Sequence, residues 1–160
     1  SIIKAFIDFK NINLDIVGFG DSIYIKQLKD LLINDNILNV RILDPVPYDK
    51  IFELLDNYSI GIATYKNNNL NNYYCAPNKI YQYIHSGLAV IANDYPGLID
   101  VIDKHKVGCC IKNVDSVSLK DAINKIIDNE YFNNITNEIK ERFSWESQTG
   151  EYMKIFSNDI

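Results

Sequence analysis

Four consecutive residues, Ala76-Pro77-Asn78-Lys79, carry the pattern most suggestive of chemistry in this chain. Pro77 suits the first position of a helix, where a missing N–H costs nothing. Ala76 ahead of it has no side-chain acceptor and is a poor cap. The backbone N–H groups of Asn78, Lys79 and Ile80 are then expected to lack internal partners. Such a helix start concentrates positive potential and hydrogen-bond donors, which is what a phosphate needs. Lys79 adds a cation at the end of the helix dipole that disfavours one, so either a bound anion offsets it or the lysine is simply solvated at small cost. Further along, Asn78, Gln82 and His85 fall at i, i+4 and i+7 and form one polar stripe, while Ile80, Tyr81, Ile84 and Leu88 form the apolar side. A stripe of that kind faces either solvent or a ligand cleft.

The elements needed to hold this turn in place are legible on either side of it. Short apolar runs at Leu14–Val17, Val40–Leu43, Ile60–Ala63, Leu88–Ala92 and Gly108–Ile111 read as strands. Helical periodicity follows the first through Ile25, Leu28, Leu31 and Leu32, and a helix opening at Pro47 carries Ile51, Leu54 and Leu55 on one face. Further helices are expected over 77–87, 97–105, 117–129, 131–142 and 146–157. Strands that are apolar on both faces and alternate with helices imply an α/β fold with one parallel sheet covered on both sides. Ligands in such folds sit at the carboxyl ends of the strands. Two loops there stand out. Gly18-Phe19-Gly20-Asp21 is a Gly-rich strand-to-helix turn, and Thr64–Ala76 is long for its place and rich in Asn and Tyr. The longer one is either a binding loop or a polar surface loop.

Composition narrows the classes. A length of 160 residues suits one domain, and 47% hydrophobic with 23% charged residues is the balance of a folded chain. A net charge of −5, with no polybasic run, argues against nucleic acid and against anionic membrane patches as main partners. Membrane association is expected to be peripheral at most, because no apolar run reaches the roughly 18–20 residues of a spanning helix. Cys75, Cys109 and Cys110 show no C-x-x-C spacing and read as small hydrophobes in a reducing compartment. His85 and His105 read as surface or cleft residues and no metal site is expected. Asp94 is read as capping the Pro96-Gly97 turn or facing the cleft, and Tyr65 as lining the cleft or packing. The chain opens at Ser1-Ile2-Ile3 as though within a helix and without a start Met, so residues upstream are expected.

The run from Ala76 to Ala92 resembles the "PNK-hydrophobic-x-E-Y-x-x-x-G-x-P-V-I-A" signature of family 4 glycosyltransferases. Leu14 to Gly20 is similar to that family's "L-x-I-V-G-x-G", Val40 to Val46 to its "N-V-x-F-L-G-x-V", and Phe143-Ser144-Trp145 to its "F-S-W". The resemblance implies a Rossmann-like three-layer sandwich, the C-terminal half of a GT-B architecture, over residues 1–160. It implies that the domain's first strand and the N-terminal acceptor domain lie outside this sequence. By the same resemblance the donor, a nucleotide-sugar, is held by Gly18, Gly20, Val46, Tyr74, Pro77, Asn78, Lys79, Ile80 and Gln82. Lys79 has the catalytic role of stabilising the leaving diphosphate, and neither cofactor nor metal is expected. The ribose-binding Glu of the signature aligns with Gln82, and a second family Glu aligns with Tyr74, so both carboxylates are absent. Trp145 is expected to anchor a closing helix. The implied activity is sugar transfer, with retention, to a cell-envelope glycan or glycolipid in polysaccharide biosynthesis. Acceptor groups would lie on the missing domain, and the protein would be cytoplasmic, at most peripheral at the inner face of the cell membrane. A non-catalytic nucleotide-sugar-binding module and a sugar-nucleotide epimerase are the alternatives.

Overall fold

The computed structural model describes residues 2–7, 9, 11–147, 149–150 and 153. Helix α1 (Ile2–Phe6) leads to strand β1 (Leu14–Val17), α2 (Ser22–Asn34) and β2 (Val40–Leu43). A 3-10 turn at Tyr48–Lys50 runs into α3 (Ile51–Leu55), followed by β3 (Ile60–Ala63) and the short α4 (Leu70–Tyr73). Then come α5 (Asn78–His85), β4 (Ala89–Asn93), α6 (Pro96–Ile102), β5 (Gly108–Ile111) and α7 (Ser116–Asp128). A 3-10 turn at Tyr131–Asn134 and α8 (Asn137–Arg142) follow.

Local chemistry sets most boundaries. The Asp21 and Asp115 carboxylates cap α2 and α7, accepting from the N–H groups of Tyr24 and Ser118 at 2.8 Å each. The helix expected over 131–142 is instead two pieces, because Thr136 caps a new start by accepting from Ile139 N–H at 3.3 Å. Helix α7 buries Leu119, Ala122, Ile123 and Ile126, the i, i+3, i+4, i+7 face of an amphipathic helix. Strand β4 is covered on both faces, with Ala89 to Ala92 wholly buried, and is paired in parallel with β3 on one edge and β5 on the other. Helix α5 ends in a Schellman arrangement. Gly87 N–H donates to Ile84 C=O at 3.0 Å and Leu88 N–H to Tyr83 C=O at 2.9 Å, with Gly87 at φ +82°.

One feature departs from the single sheet expected. The described strands form two parallel ladders, β1–β2 and β3–β4–β5, with no ladder pairing between β1 and β3. A side-chain network with no local signal in the sequence links them. The Asp15 carboxylate on β1 accepts from Arg41 Nε and Nη2 on β2 at 2.7 and 2.6 Å, and from the Tyr58 hydroxyl ahead of β3 at 2.6 Å. Asp15 is 3% exposed at its side chain although its partner Arg41 is 66% exposed. The Arg41 hydrogen bonds hold its carboxyl below the usual range, aided by Tyr58 and opposed by burial. The Tyr58 hydroxyl is pushed up to about 12, by burial first and then by its bond to Asp15. The closing helix expected over 146–157 is visible as helical residues at 145–147, 149–150 and 153, and the rest of that span lies outside the described residues. Trp145, expected to anchor that helix, is 76% exposed.

Two outcomes follow from this frame. A Cβ at Gly87 would meet only the Lys140 Nζ at 3.6 Å, so the cost of Gly87→Ala is conformational. It is expected to be about 1–2 kcal/mol, read as a fall in Tm by thermal denaturation. Because Asp15 binds its proton less tightly folded than unfolded, its contribution is fully present above about pH 4 and is lost as pH falls through the lowered folded value. Asp15→Asn is therefore expected to lower Tm at pH 7 and to flatten the decline of Tm between pH 5 and pH 2, to about the extent of one carboxylate. An unchanged acid limb would show that the network adds nothing.

Candidate functional site

The start of α5 has the character the residues suggested, displaced by one position. Pro77 is the N-cap, with φ −74° and ψ 136°, and no side chain caps the helix. Ile80 N–H donates to Pro77 C=O at 3.1 Å, which removes one of the three donors expected to be free. The N–H groups of Asn78 and Lys79 remain without a partner among the described residues, and the Lys79 ammonium has no carboxylate partner there. Ile80 itself is 1% exposed and packs into the core, so it offers neither side chain nor backbone donor to a ligand.

A cavity of about 540 Å³ opens beside this helix start, between β1 and β3. Gly18, Val46, Lys79 and Gln82 all line it, although they come from two separate strand-to-helix connections and from α5. Gly20, Tyr74, Pro77 and Asn78 are not part of its lining. Gly18 adopts φ +152°, a conformation side chains rarely take, and it has open space where a Cβ would stand. Of the polar stripe, Gln82 alone reaches the cavity; Asn78 is exposed and His85 half-buried away from it. Tyr83, assigned to neither face in sequence, lies between them: a Cβ on Gly61 would run into its ring, so Gly61 lets α5 settle close to β3.

The long segment after β3 is ordered by its own side chains. Asn69 caps α4 by accepting from Asn72 N–H at 2.7 Å, and Asn72 Nδ2 donates to Lys66 C=O and Asn68 Oδ1 at 2.9 and 2.8 Å. Its base is pinned by Asn93, 3% exposed, which accepts from Tyr65 N–H at 2.6 Å, and by Tyr95, whose hydroxyl donates to Tyr65 C=O at 3.0 Å. Tyr65 therefore packs rather than lines the cavity, and burial raises its hydroxyl pKa. Tyr74 is 66% exposed and edge-on to Tyr73, ring centroids 4.9 Å apart. Asp94 does not cap α6, whose N-cap is Tyr95 with no side-chain bond. His105 stands edge-on to Phe143 at 5.2 Å, its pKa lowered by burial and then by Arg142 and Lys104. Among the described residues no group of three or more His, Cys, Asp or Glu side chains could hold a metal. Phe19, 91% exposed between Gly18 and Gly20, also lines the cavity, with Asp15, Tyr58 and Tyr83 among the other lining residues that no local motif marks.

Taken together, Lys79, from a helix start with two N–H groups unpartnered among the described residues, lines a cavity whose wall at Pro45-Val46 is apolar. That arrangement suits a polyanion attached to a flat, largely apolar group.

The chain is similar to known proteins along nearly all of its length. An uncharacterized glycosyltransferase of Methanocaldococcus jannaschii is 29% identical over 167 residues, covering 98% of this chain and 41% of that protein. Among solved structures, the sucrose-phosphate synthase of Thermosynechococcus elongatus superposes with a TM-score of 0.72 at 18% identity, covering 98% of this chain and 42% of that one. The pneumococcal O-GlcNAc transferase, solved with UDP and GlcNAc, gives 0.66 at 16% identity, over 98% of this chain and 31% of that one. This chain thus spans about two-fifths or less of these relatives and shares the α/β fold of GT-B glycosyltransferases. The family described as glycosyl transferases group 1 matches residues 1–129, and the chain belongs to that family.

Proposed function

We propose that this chain is the donor-binding domain of a glycosyltransferase that moves a sugar from a nucleotide-sugar to a cell-envelope glycan or glycolipid, with retention. The observation that carries the reading is the uncapped start of α5, with Asn78 and Lys79 N–H groups unpartnered among the described residues, where Lys79 lines the cavity shared with Gly18, Val46 and Gln82. As the glycosidic bond breaks, negative charge grows on the leaving diphosphate. Preorganised donors and a fixed cation stabilise that charge more than they stabilise the ground state. Val46 and Pro45 offer an apolar wall for the base, and Gln82, one helical turn beyond Lys79, offers an amide to the ribose. An amide both donates and accepts, but its bonds are roughly half as strong as those to a carboxylate.

The acceptor would be bound by a second domain, so this domain by itself binds donor without transferring sugar. No metal is required, since the helix start and Lys79 supply the positive potential. No described helix is long and apolar enough to cross a membrane, which accords with a cytoplasmic enzyme, peripheral at most at the inner face of the membrane. The solved pneumococcal relative holds UDP, so uridine nucleotides are the first donors to try. Gln82 favours one second reading, a nucleotide-sugar-binding module of the same fold without turnover.

Calorimetric titration of the intact protein with UDP, GDP and ADP tests the site. One of them is expected to bind, and Lys79→Ala to weaken it by about 10- to 100-fold, the worth of a charge-assisted hydrogen bond. Equal affinity in the Lys79→Ala protein would sink the assignment of this turn. Transfer of sugar by the intact protein, lost in the same variant, would separate the enzyme from the binding module.

A further inference from the structure

Phe19 is the most exposed large apolar side chain among the described residues, and it belongs neither to the core nor to the apolar groups packed against it. One exposed apolar residue is ordinary. Its placement is not, because it lines the cavity of about 540 Å³ beside Lys79. The chain also holds it there. Only Gly18 to Asp21 join β1 to α2. Gly18 N–H donates to Leu43 C=O on β2 at 3.4 Å, and Asp21 is bound into α2 through Tyr24 N–H at 2.8 Å and Ile25 N–H at 2.9 Å. Phe19 stands between these two fixings, and its glycine neighbours have no side chains to cover the ring.

Pro45 and Val46 occupy the matching place on the next connection. Strands β1 and β2 pair in register up to Val17 and Leu43, so Phe19 and Pro45 each stand two residues past the last pair. Both line the cavity, as does Val46. Its polar groups lie elsewhere. Asp15 and Tyr58 are hydrogen-bonded to each other, and Lys79 and Gln82 belong to α5, between β3 and β4. The cavity is therefore apolar at the mouth formed by β1 and β2 and cationic at the start of α5. A nucleoside diphosphate divides its character in the same way, a flat base at one end and the phosphates at the other.

We propose, on the reading of this cavity as a nucleotide-sugar site, that Phe19 is its stacking residue and covers one face of a nucleobase whose other face lies on Pro45-Val46. A phenyl ring offers a π-face and no hydrogen bond, so it accepts purines and pyrimidines alike. It adds affinity without choosing the base. With only two side-chain rotations to fix, an aromatic ring loses little entropy when a ligand covers it. Phe19 and Lys79 thereby divide the donor between them, Phe19 answering to the base and Lys79 to the phosphates.

Calorimetric titration of the intact protein with UDP, GDP and ADP, and with pyrophosphate as the probe that lacks a base, tests this division. Phe19→Ala is expected to weaken the nucleoside diphosphates that bind by about 10- to 100-fold and to leave pyrophosphate unchanged. Lys79→Ala is expected to weaken both. Phe19→Leu, apolar but not planar, should bind as poorly as Phe19→Ala, whereas Phe19→Trp should retain affinity and lose indole emission with a nucleoside diphosphate but not with pyrophosphate. Each of these variants alters an exposed side chain and is expected to keep the Tm of the parent protein. Unchanged nucleotide affinity in Phe19→Ala, with Lys79→Ala still weakened, would overturn the stacking role and leave the donor site standing. So would full affinity in Phe19→Leu, an equal loss of pyrophosphate in Phe19→Ala, or unmoved emission in Phe19→Trp. Failure of every nucleoside diphosphate to bind the parent protein would overturn the donor site and the stacking role together.

Discussion

Everything in this domain is arranged around the burial of β4. Its residues Ala89 to Ala92 are wholly enclosed, with β3 and β5 on its edges and helices over its faces. A strand enclosed in that way cannot shift register without exposing its apolar side chains, and the Gly87 turn ahead of it cannot shift either. Helix α5 is fixed through that turn and through Ile80 and Ile84, which press into the core. The position of Lys79, at the opposite end of the same eight-residue helix, is thus set by packing rather than by any bond the lysine makes.

The cavity beside Lys79 also depends on contacts remote from it. Gly61 allows Tyr83 to lie close to β3, and Asn93 and Tyr95 tie down the chain as it leaves that strand. Asn39 does the same service on the other side. Its Nδ2 donates to the carbonyls of Phe6, Phe9 and Ile12 at 2.7 to 3.0 Å, holding the link between α1 and β1 against the start of β2. Rigid loops at the carboxyl ends of the strands are what allow Gly18, Val46 and Lys79, far apart in sequence, to share one cavity.

How much of this could be read in the residues depends on the range of the interaction. All five strands were legible, because β-branched runs bounded by turn residues are local signals. So was the uncapped character of α5. The break at Ile135 was not, since the periodicity of Tyr131 to Arg142 runs through it and the competing signal is a single Thr136 cap. The Asp15–Arg41–Tyr58 network was invisible for a different reason. Its members are separated by 26 and 43 positions, and no pattern in one sequence couples a charge on one strand to a hydroxyl near another. Of the candidate site, the turn was legible from its odd chemistry, whereas the exclusion of Tyr74 and Ile80 depended on burial and on which way each residue faces.

The chain contains a single tryptophan, and Trp145 stands largely in solvent just past α8. Indole emission shifts towards the blue when water is removed from around the ring. Trp145 is therefore a built-in optical probe of whatever covers that corner of the domain, far in sequence from the cavity and from the five strands. A label-free reading of what approaches that corner is available in this chain without introducing a single substitution.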